Sequence, residues 1–358
     1  MVALFKQVCH PIATPETVGA FAFGYRLVAL DSTLEDVSDT LRNSAYFGRS
    51  SGKYGDDAFP KLRACLLCEC GTHVIFDAGV WDYHTSERRG CQRLLRSLSA
   101  EMLVMSDSGL YSYDLLAQIQ CQQAQFLIRV PEQVKLNPVR RLSDGSYESY
   151  AFPSNRSRLA KNEPILVRVL AYKIDDPTRP HHGKRQRLVT SLLDENRCPA
   201  LELICLYHER WEIELTIDEL DTHLRLARHP FRSLQPVGVI QEFYAMLLAH
   251  FIIRLFIHRA ALSHQLDPDR FSFTNAVHLI ADALPSFQWL DPHLSTHLWQ
   301  SLIDDLLYFY LPQRAIRINP RVVKRKQVSK FDRKRLKHRL ITQPTKPFSE
   351  CLVLLPAA

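Results

Sequence analysis

The order of the apolar runs between residues 25 and 130 constrains the fold of this chain more than any other feature of its sequence. Short β-rich runs alternate there with segments of helical periodicity. The predicted elements are, in order, a strand (25–30), a hairpin (Lys61–Glu69 and 73–81, joined by Cys-Gly-Thr), a helix (84–98), a strand (Met102–Ser106), a helix (112–124) and a strand (126–130). This alternation predicts an α/β fold.

Two acidic residues close apolar strands in this series. Asp31 follows the run 25–30, and Asp107 follows Met102–Ser106. Two-metal phosphoryl transfer needs about three carboxylates at one point, because Mg²⁺ prefers oxygen ligands and the two ions lie about 3.5–4 Å apart. Acids at the ends of neighbouring strands can supply two of those carboxylates.

A helix further along the chain offers the third acid. At 100° per residue, Tyr207, Arg210, Glu214 and Asp221 fall on one narrow stripe of this helix. A surface helix with ion pairs between residues i and i+4 would also produce such a stripe. Considered together with Asp31, the stripe favours a site for phosphoryl transfer.

Several motifs resemble those of insertion-sequence transposases of the DDE class, in the insertion-sequence-four family. YHERWEIELTIDELD, from Tyr207 to Asp221, resembles the family signature Y-x-x-R-x-x-x-E-x-x-x-x-x-x-K. ALDST, which contains Asp31, and SDSGLYSYDLL, which contains Asp107, resemble the two motifs of the catalytic Asp residues. FRSLQPVGVIQEFYAMLLAH (231–250) and NPRVVKRK (319–326) resemble downstream blocks, and the similarity extends over 5–337.

The resemblance implies a ribonuclease-H-like catalytic core with a β-rich insertion between the second Asp and the Glu, and C-terminal helices. By this analogy Asp31, Asp107 and Glu214 bind two Mg²⁺ ions, for which Mn²⁺ can substitute. The ions activate a water and then the freed 3′-hydroxyl for attack on phosphodiesters at the transposon ends. Tyr207 and Arg210 hold the terminal phosphate, and Trp211 stacks on an unpaired base. The expected partners are double-stranded DNA, as terminal inverted repeats and target, and a second copy in a homodimer.

The same resemblance organises the chain. The predicted parts are a short N-terminal segment that lacks the family's end-recognition region (1–24), the first part of the core (25–130), the β-rich insertion (131–199), the second part of the core with the Glu helix (200–262), a C-terminal helical region (263–311) and a basic tail (312–358).

Three positions depart from the family pattern. Ser32 replaces a Gly, Ser108 replaces an Arg, and Asp221 replaces the signature Lys. An anion on the stripe is expected to repel a DNA end, so Asp221→Lys should tighten binding. Arg225, four residues on, either neutralises Asp221 or contacts a phosphate in place of the Lys. These departures leave open a catalytically inactive DNA-binding remnant; a nuclease that only hydrolyses DNA is a further alternative.

Positive charge is concentrated near the C-terminus. Of a formal net charge of +7, the segment 312–340 contains twelve Lys/Arg and one acid, Asp332. Such a segment is typical of a polyanion contact, although a solvated tail has the same composition. The predicted DNA contacts are Arg225, Arg321, Lys324, Arg325 and Lys326.

Other classes of protein are disfavoured. Glycine is scarce, at 12 residues, and neither G-x-G-x-x-G nor a P-loop occurs. The charge-free apolar stretch 243–253 is shorter than the roughly 20 residues of a membrane span. Cys65, Cys68 and Cys70 with His73 lack a second zinc knuckle, so buried thiols are expected. Nine cysteines without a secretory signal favour a reducing compartment, and hence a soluble cytoplasmic protein. The resemblance to insertion-sequence transposases further implies a bacterial, nucleoid-associated protein with no membrane partner.

Overall fold

The computed structural model describes residues 1–52, 55–153, 163–179, 181–225, 229–312, 322–323, 332–333, 335–336 and 346–356; the side chains of Gly52, Glu209, Trp211 and the four residues of 322–323 and 332–333 lie outside this description. Within these residues the chain forms a mixed α/β fold, in which helices cover a large mixed sheet.

The helices concentrate in the second half of the chain. In chain order they are α1 (Val2–Val8), α2 (Leu41–Phe47), α3 (Glu87–Gln92), α4 (Tyr113–Cys121), α5 (Ala200–Glu209), α6 (Trp211–Asp218), α7 (Pro236–Ser263), α8 (Phe273–Phe287) and α9 (Pro292–Leu307). A π-helical turn, Glu219–Leu224, continues α6, and 3-10 turns lie at Leu95–Ser97, Pro268–Arg270 and Ser349–Cys351.

Most strands join a single sheet. In chain order they are β1 (Phe21–Ala22), β2 (Tyr25–Asp36), β3 (Ser51–Gly52), β4 (Gly55–Asp56), β5 (Lys61–Glu69), β6 (Ile75–Asp82), β7 (Met102–Ser106), β8 (Gln125–Arg129), β9 (Arg140–Arg141), β10 (Tyr147–Ala151), β11 (Ile165–Ile174), β12 (Gln186–Thr190), β13 (Val322–Val323), β14 (Asp332–Arg333) and β15 (Leu352–Leu354).

Eleven strands make the large sheet, whose main order is β6-β5-β2-β7-β8-β12-β11-β10-β9. β2, β7 and β8 run parallel to one another, and the remaining neighbours are antiparallel. β1 pairs with β2, and β15 pairs with β11. The strands between residues 131 and 199 therefore extend the same sheet on the β8 side, away from β2.

Most elements expected between residues 25 and 130 are confirmed in this order. The hairpin, β7, α4 and β8 match the sequence prediction, and Ser112 caps α4 by accepting a hydrogen bond from the backbone N–H of Leu115. The helix expected over 84–98 is shorter: α3 covers only Glu87–Gln92, and a separate 3-10 turn follows at Leu95–Ser97. Helix over 200–261 is likewise interrupted, between Leu224 and Pro236.

The first strand differs from the prediction. β2 does not end at residue 30 but continues to Asp36, because its second half pairs with β5. Asp31 therefore lies in the middle of a strand. Its pairing with β7, however, covers only Arg26–Ala29, so Asp31 stands just beyond the parallel part of the sheet.

Both faces of the sheet are buried. Successive residues of β2 alternate between two clusters: Val28 and Leu30 pack on one face, and Leu27 and Ala29 pack on the other. The first face is covered by α7 and α4, and the second by α5 and α6, through Leu203 and Ile213 among others. A third cluster joins α7, α8 and α9.

α7 is long and apolar enough, by length and composition, to cross a membrane. The helix is longer than the charge-free run 243–253, from which the sequence predicts no membrane span, because it also includes charged residues on both sides of that run. In the described structure 61% of the most apolar window of α7 is buried inside the protein. A single helix of this kind is weak evidence for a membrane span, since the core helices of soluble proteins have the same length and composition.

Candidate active site

Asp31 and Asp107 stand side by side at the end of the parallel strands. The register of β2 and β7 pairs Ala29 with Met105; Asp31 lies two residues further along β2, and Asp107 directly follows the last residue of β7. Because side chains two residues apart share a face, both Asp residues continue the face on which Ala29 and Met105 lie. That face is the one covered by α5 and α6.

Arg210 connects Asp31 with Glu214. Its guanidinium Nη1 lies 3.7 Å from Oδ2 of Asp31, and its Nη2 donates to Oε1 of Glu214 at 3.0 Å. The Arg210 side chain is 12% exposed, whereas that of Glu214 is 39% exposed. The structure therefore brings Asp31, Arg210 and Glu214 together at a partly open edge of the sheet.

Tyr207 fixes the helix relative to β7. It is 5% exposed, and its hydroxyl donates to the carbonyl of Ser106 at 3.2 Å. The guanidinium of Arg210 lies 5.9 Å from the centre of the Tyr207 ring. Tyr207 thus holds α5 beside the residue that precedes Asp107, and its hydroxyl has a protein partner.

The loop after β7 orients Asp107. Its Oδ1 accepts hydrogen bonds from the backbone N–H of Gly109, at 2.8 Å, and of Leu110, at 3.3 Å. A Cβ at position 109 would lie 3.1 Å from this oxygen, which is closer than most side chains approach. Gly109 therefore allows the turn to close over the carboxylate while Asp107 remains accessible.

Asp31 has the most perturbed carboxyl group of this site. Burial raises its pKa to about 6, with smaller contributions from the negative charges of Asp107 and Glu87, while the Ser32 backbone N–H and Arg210 act in the opposite direction. The charge of Arg210 does not offset the effect of burial on the pKa of this carboxyl group. A buried carboxylate of this kind is typical of functional sites, where a bound cation can stabilise its charged form.

Glu87 is a fourth carboxylate near the site, and no sequence motif identifies it. Its Oε1 accepts a hydrogen bond from the Ser32 hydroxyl at 2.6 Å. Ser32, which departs from the family's Gly, thereby links the strand of Asp31 to α3. The sequence predicts carboxylates of the site only at strand ends and on the helix of Glu214.

Asp221 does not face the open edge. The expectation that it lies on the stripe with Glu214 and repels a DNA end is therefore wrong. The stripe holds for Tyr207, Arg210 and Glu214, but the chain becomes π-helical at Glu219, which rotates later residues away from it. Asp221 is 6% exposed, and its Oδ1 lies 3.9 Å from Nη1 of Arg225. Arg225 thus lies next to Asp221, which agrees with the alternative in which it neutralises Asp221, while its nearer carboxylate is that of Glu35.

Arg225 is itself occupied inside the protein. Its side chain is 9% exposed, it pairs with Glu35, and its guanidinium lies 4.2 Å from the centre of the Phe231 ring. Its role as a DNA contact stays a prediction. The Trp211 side chain and all of Arg321, Lys324, Arg325 and Lys326 lie outside the described residues.

Cysteines and histidines line the core near the site. Cys65, Cys68 and Cys70 are buried free thiols, as expected, with Cys65 on one face of the sheet and the other two on the opposite face. His250 and His258 are buried core residues whose Nε2 atoms have protein partners: that of His250 lies 3.0 Å from Glu219, and that of His258 lies 2.9 Å from Thr17.

Comparisons with known proteins identify the family of the chain. The family described as transposase DDE domain matches residues 22–252. The transposase InsG for insertion sequence element IS4 of Escherichia coli is 27% identical over 304 residues, which cover 84% of this chain and 68% of that protein.

Among solved structures, the piggyBac transposase in its synaptic complex with hairpin DNA is similar with a TM-score of 0.44 and 12% identity. The similarity covers 80% of this chain and 58% of the piggyBac chain, so this chain spans less than two thirds of that protein. Residues 22–252 amount to well over half of this chain, and we conclude that the chain belongs to the transposase DDE domain family.

Proposed function

We propose that this protein is a DNA transposase that cleaves DNA at the ends of an insertion sequence and joins the freed ends to target DNA. The observation that supports the proposal is the parallel register that pairs Ala29 with Met105, the residues two positions before Asp31 and Asp107, together with Arg210, which contacts both Asp31 and Glu214. These three acids are the residues that the family motifs identify as the catalytic triad. Their arrangement combines the carboxylates of two strands and one packed helix at a single edge.

A ribonuclease-H-like core is the proposed framework of this site. The order β6-β5-β2-β7-β8, with an antiparallel β2-β5-β6 meander followed by two strands parallel to β2, supports it. The strands of 131–199 would be an insertion that enlarges the sheet before the Glu214 helix returns to it. The proposed division of the remaining chain is 1–24, 25–130, 200–262, 263–311 and 312–358.

The donor set of the triad fits Mg²⁺. Asp31, Asp107 and Glu214 offer carboxylate oxygens, which Mg²⁺ prefers, and a cation would stabilise the charged form of Asp31, whose pKa burial raises. Two ions held by these residues, with Mn²⁺ as a substitute, would supply activation of a water and of the 3′-hydroxyl and stabilisation of the leaving oxygen.

The remaining side chains would position the reactants. Arg210 carries a positive charge at the open edge, where it can pair with a DNA phosphate in addition to Glu214. Tyr207 would act mainly by holding α5 against Ser106, since its hydroxyl is already used. Trp211, Arg225 and the basic residues Arg321, Lys324, Arg325 and Lys326 remain proposed DNA contacts, and a homodimer on two DNA ends remains the proposed assembly.

An inactive remnant is the alternative function that a specific observation favours. The signature Lys is absent, and Arg225, the nearest candidate to replace it, is paired internally with Glu35 and Asp221. A protein of this kind would still bind DNA through its basic segment. It would not cleave DNA in the presence of Mg²⁺.

The test is cleavage of a plasmid that carries the inverted repeats flanking the coding sequence, with Mg²⁺ or with chelator. Joined products identify a transposase, cut but unjoined DNA identifies a nuclease, and intact DNA identifies a remnant. Asp31→Asn, Asp107→Asn and Glu214→Gln should each abolish cleavage and leave DNA affinity largely unchanged. Glu202→Gln, an exposed acid on α5, is the matched control and should keep activity.

A further inference from the structure

A second group of metal-binding side chains lies behind the catalytic helix. His73, from the turn between β5 and β6, Glu212, on α6, and Asp269, in the 3-10 turn Pro268–Arg270, each offer one ligand atom, and these atoms lie within 4.8 Å of one another. Glu212 and Glu214 are two residues apart, so a helix places them about 200° apart. The group therefore lies on the opposite side of α6 from the proposed catalytic triad.

The contact between His73 and Asp269 is a few tenths of an ångström shorter than the spacing of two ligands of one ion. Nε2 of His73 lies 3.0 Å from Oδ1 of Asp269, yet this buried nitrogen has no partner with hydrogen-bond geometry among the described residues. Zn²⁺ binds imidazole nitrogen and carboxylate oxygen at about 2.0–2.2 Å, so two such ligands of a tetrahedral ion lie about 3.3–3.6 Å apart. The His73 side chain is 3% exposed, and water can therefore barely reach it.

The other side of the imidazole has the partner that metal-binding histidines require. Nδ1 of His73 lies 3.2 Å from Oε1 of Glu219, and a proton on Nδ1 would leave Nε2 free to bind a metal. Glu219 is held in turn by Arg254 and by His250. Arg254 Nη2 also lies 2.5 Å from Nδ1. Because a guanidinium only donates, this contact would have to give way to the Nδ1–H bond to Glu219 when a metal binds Nε2. Glu212 is oriented by the backbone N–H of Gly71, at 2.5 Å.

The charges of this group call for a cation. Glu212, Glu219 and Asp269 contribute three negative charges, and Arg254 contributes one positive charge. With a neutral imidazole, a divalent ion would balance the group, and burial makes that balance important because uncompensated charge inside a protein is costly.

We propose that His73, Glu212 and Asp269 form a structural site for a divalent transition metal such as Zn²⁺, separate from the proposed catalytic triad. One imidazole and two carboxylates suit Zn²⁺ better than Mg²⁺, which prefers an all-oxygen shell. Asp269, whose side chain is 30% exposed, provides the route of entry. The ion would attach α6 to the turn of His73 and to the start of the C-terminal helices. The proposal goes beyond the proposed function and does not depend on it.

The experiment uses the full chain with the triad neutralised by Asp31→Asn, Asp107→Asn and Glu214→Gln, so that metal bound at the triad does not contribute. After chelation and dialysis, Zn²⁺ is titrated and bound metal is measured by mass spectrometry. We expect one equivalent of Zn²⁺, and a rise in Tm of about 5 °C when free Zn²⁺ is 100 times Kd. Stoichiometry near zero, or an unchanged Tm with saturating Zn²⁺, would overturn the proposal.

Two single changes in this background locate the site. Asp269→Asn alters a partly exposed residue and should weaken Zn²⁺ binding at least tenfold. His73→Asn should do the same, and Asn tolerates the positive φ of 59° at this position. Asp305→Asn, an exposed acid on α9, is the matched control and should bind like the background. Unchanged affinity in Asp269→Asn would assign the metal to other residues.

Co²⁺ gives a readout that does not depend on stability. Bound to imidazole and carboxylate in a closed site, it should show visible absorption bands that disappear in His73→Asn. Bands that persist in His73→Asn would contradict histidine ligation. Because the triad is neutralised throughout, loss of DNA cleavage has no bearing on this result.

Discussion

Asp31→Asn is expected to abolish DNA cleavage and, at the same time, to stabilise the metal-free protein. Burial raises the pKa of Asp31 to about 6, from an ordinary value of 3.8. The folded protein therefore binds a proton here more tightly than the unfolded chain does. Ionising Asp31 near neutral pH works against folding, and Asn removes that cost while keeping the shape of the side chain.

The sign and size follow from linkage between protonation and folding. Between pH 3.8 and about 6 the folded state carries the extra proton, so the free energy of unfolding decreases as pH rises through this window. Above it the full penalty applies, and 1.36 kcal/mol per pKa unit gives about 3 kcal/mol as an upper limit. Asn also removes the ion pair with Arg210, at 3.7 Å, which reduces the gain. We therefore expect Asp31→Asn to raise the free energy of unfolding by about 1–3 kcal/mol at pH 8 and by about 0 at pH 3.5.

Urea unfolding in the presence of chelator, at pH 3.5 and pH 8, measures this difference. Asp305→Asn, which removes an exposed carboxylate, should change stability by less than about 0.5 kcal/mol at both pH values. Mg²⁺ should raise the urea midpoint of the parent more than that of Asp31→Asn. A variant that is less stable than the parent at pH 8, or equally stabilised at both pH values, would refute the reasoning.

Further predictions concern the packing of the helix and the basic segment. Tyr207→Phe removes the hydrogen bond to Ser106 and should lower the free energy of unfolding by about 1 kcal/mol, measured by urea unfolding. Glu219→Gln leaves buried Arg254 without its charge partner and should cost about 3–5 kcal/mol in the same assay. Asp221→Lys places a cation beside Arg225 and should lower Tm without tightening DNA binding, which titration by fluorescence anisotropy can check. Replacing four basic residues by Ala should reduce the slope of log K against log salt by up to about 3.6, since each phosphate that is no longer neutralised accounts for about 0.9; these residues are Arg321, Lys324, Arg325 and Lys326.

The sequence predicted the core strands and the stripe of Tyr207, Arg210 and Glu214 because both depend on local periodicity. Apolar alternation identified β7 to the residue, and a helical step of four placed Arg210 against Glu214. The sequence predicts that Asp31 and Asp107 lie close together because each ends a strand, and this reason holds for Asp107 alone. Asp31 does not end its strand; it lies beside Asp107 because of the parallel register.

The remaining features depend on contacts between distant parts of the chain. The π-helical turn that removes Asp221 from the stripe is stabilised by Glu219, whose partners His250 and Arg254 are more than thirty residues away. Glu87 reaches the site because α3 packs near β2, and a hydrogen bond to Ser32 fixes it there. A single sequence contains no periodic pattern for such contacts.

The pairing of β15 with β11 has a consequence for how the protein is made. β15 (Leu352–Leu354) pairs with residues 172–174 of β11, and β10 pairs with an earlier part of the same strand. The buried residue Cys351 directly precedes β15. This stretch of the sheet receives its partner only when residues 352–354 have left the ribosome. Until then, it presents free backbone hydrogen-bonding groups to other chains. A frameshift or nonsense codon that lies after the codon of Glu214 and before codon 352 should therefore yield an aggregation-prone chain, although every residue of the proposed catalytic triad is intact.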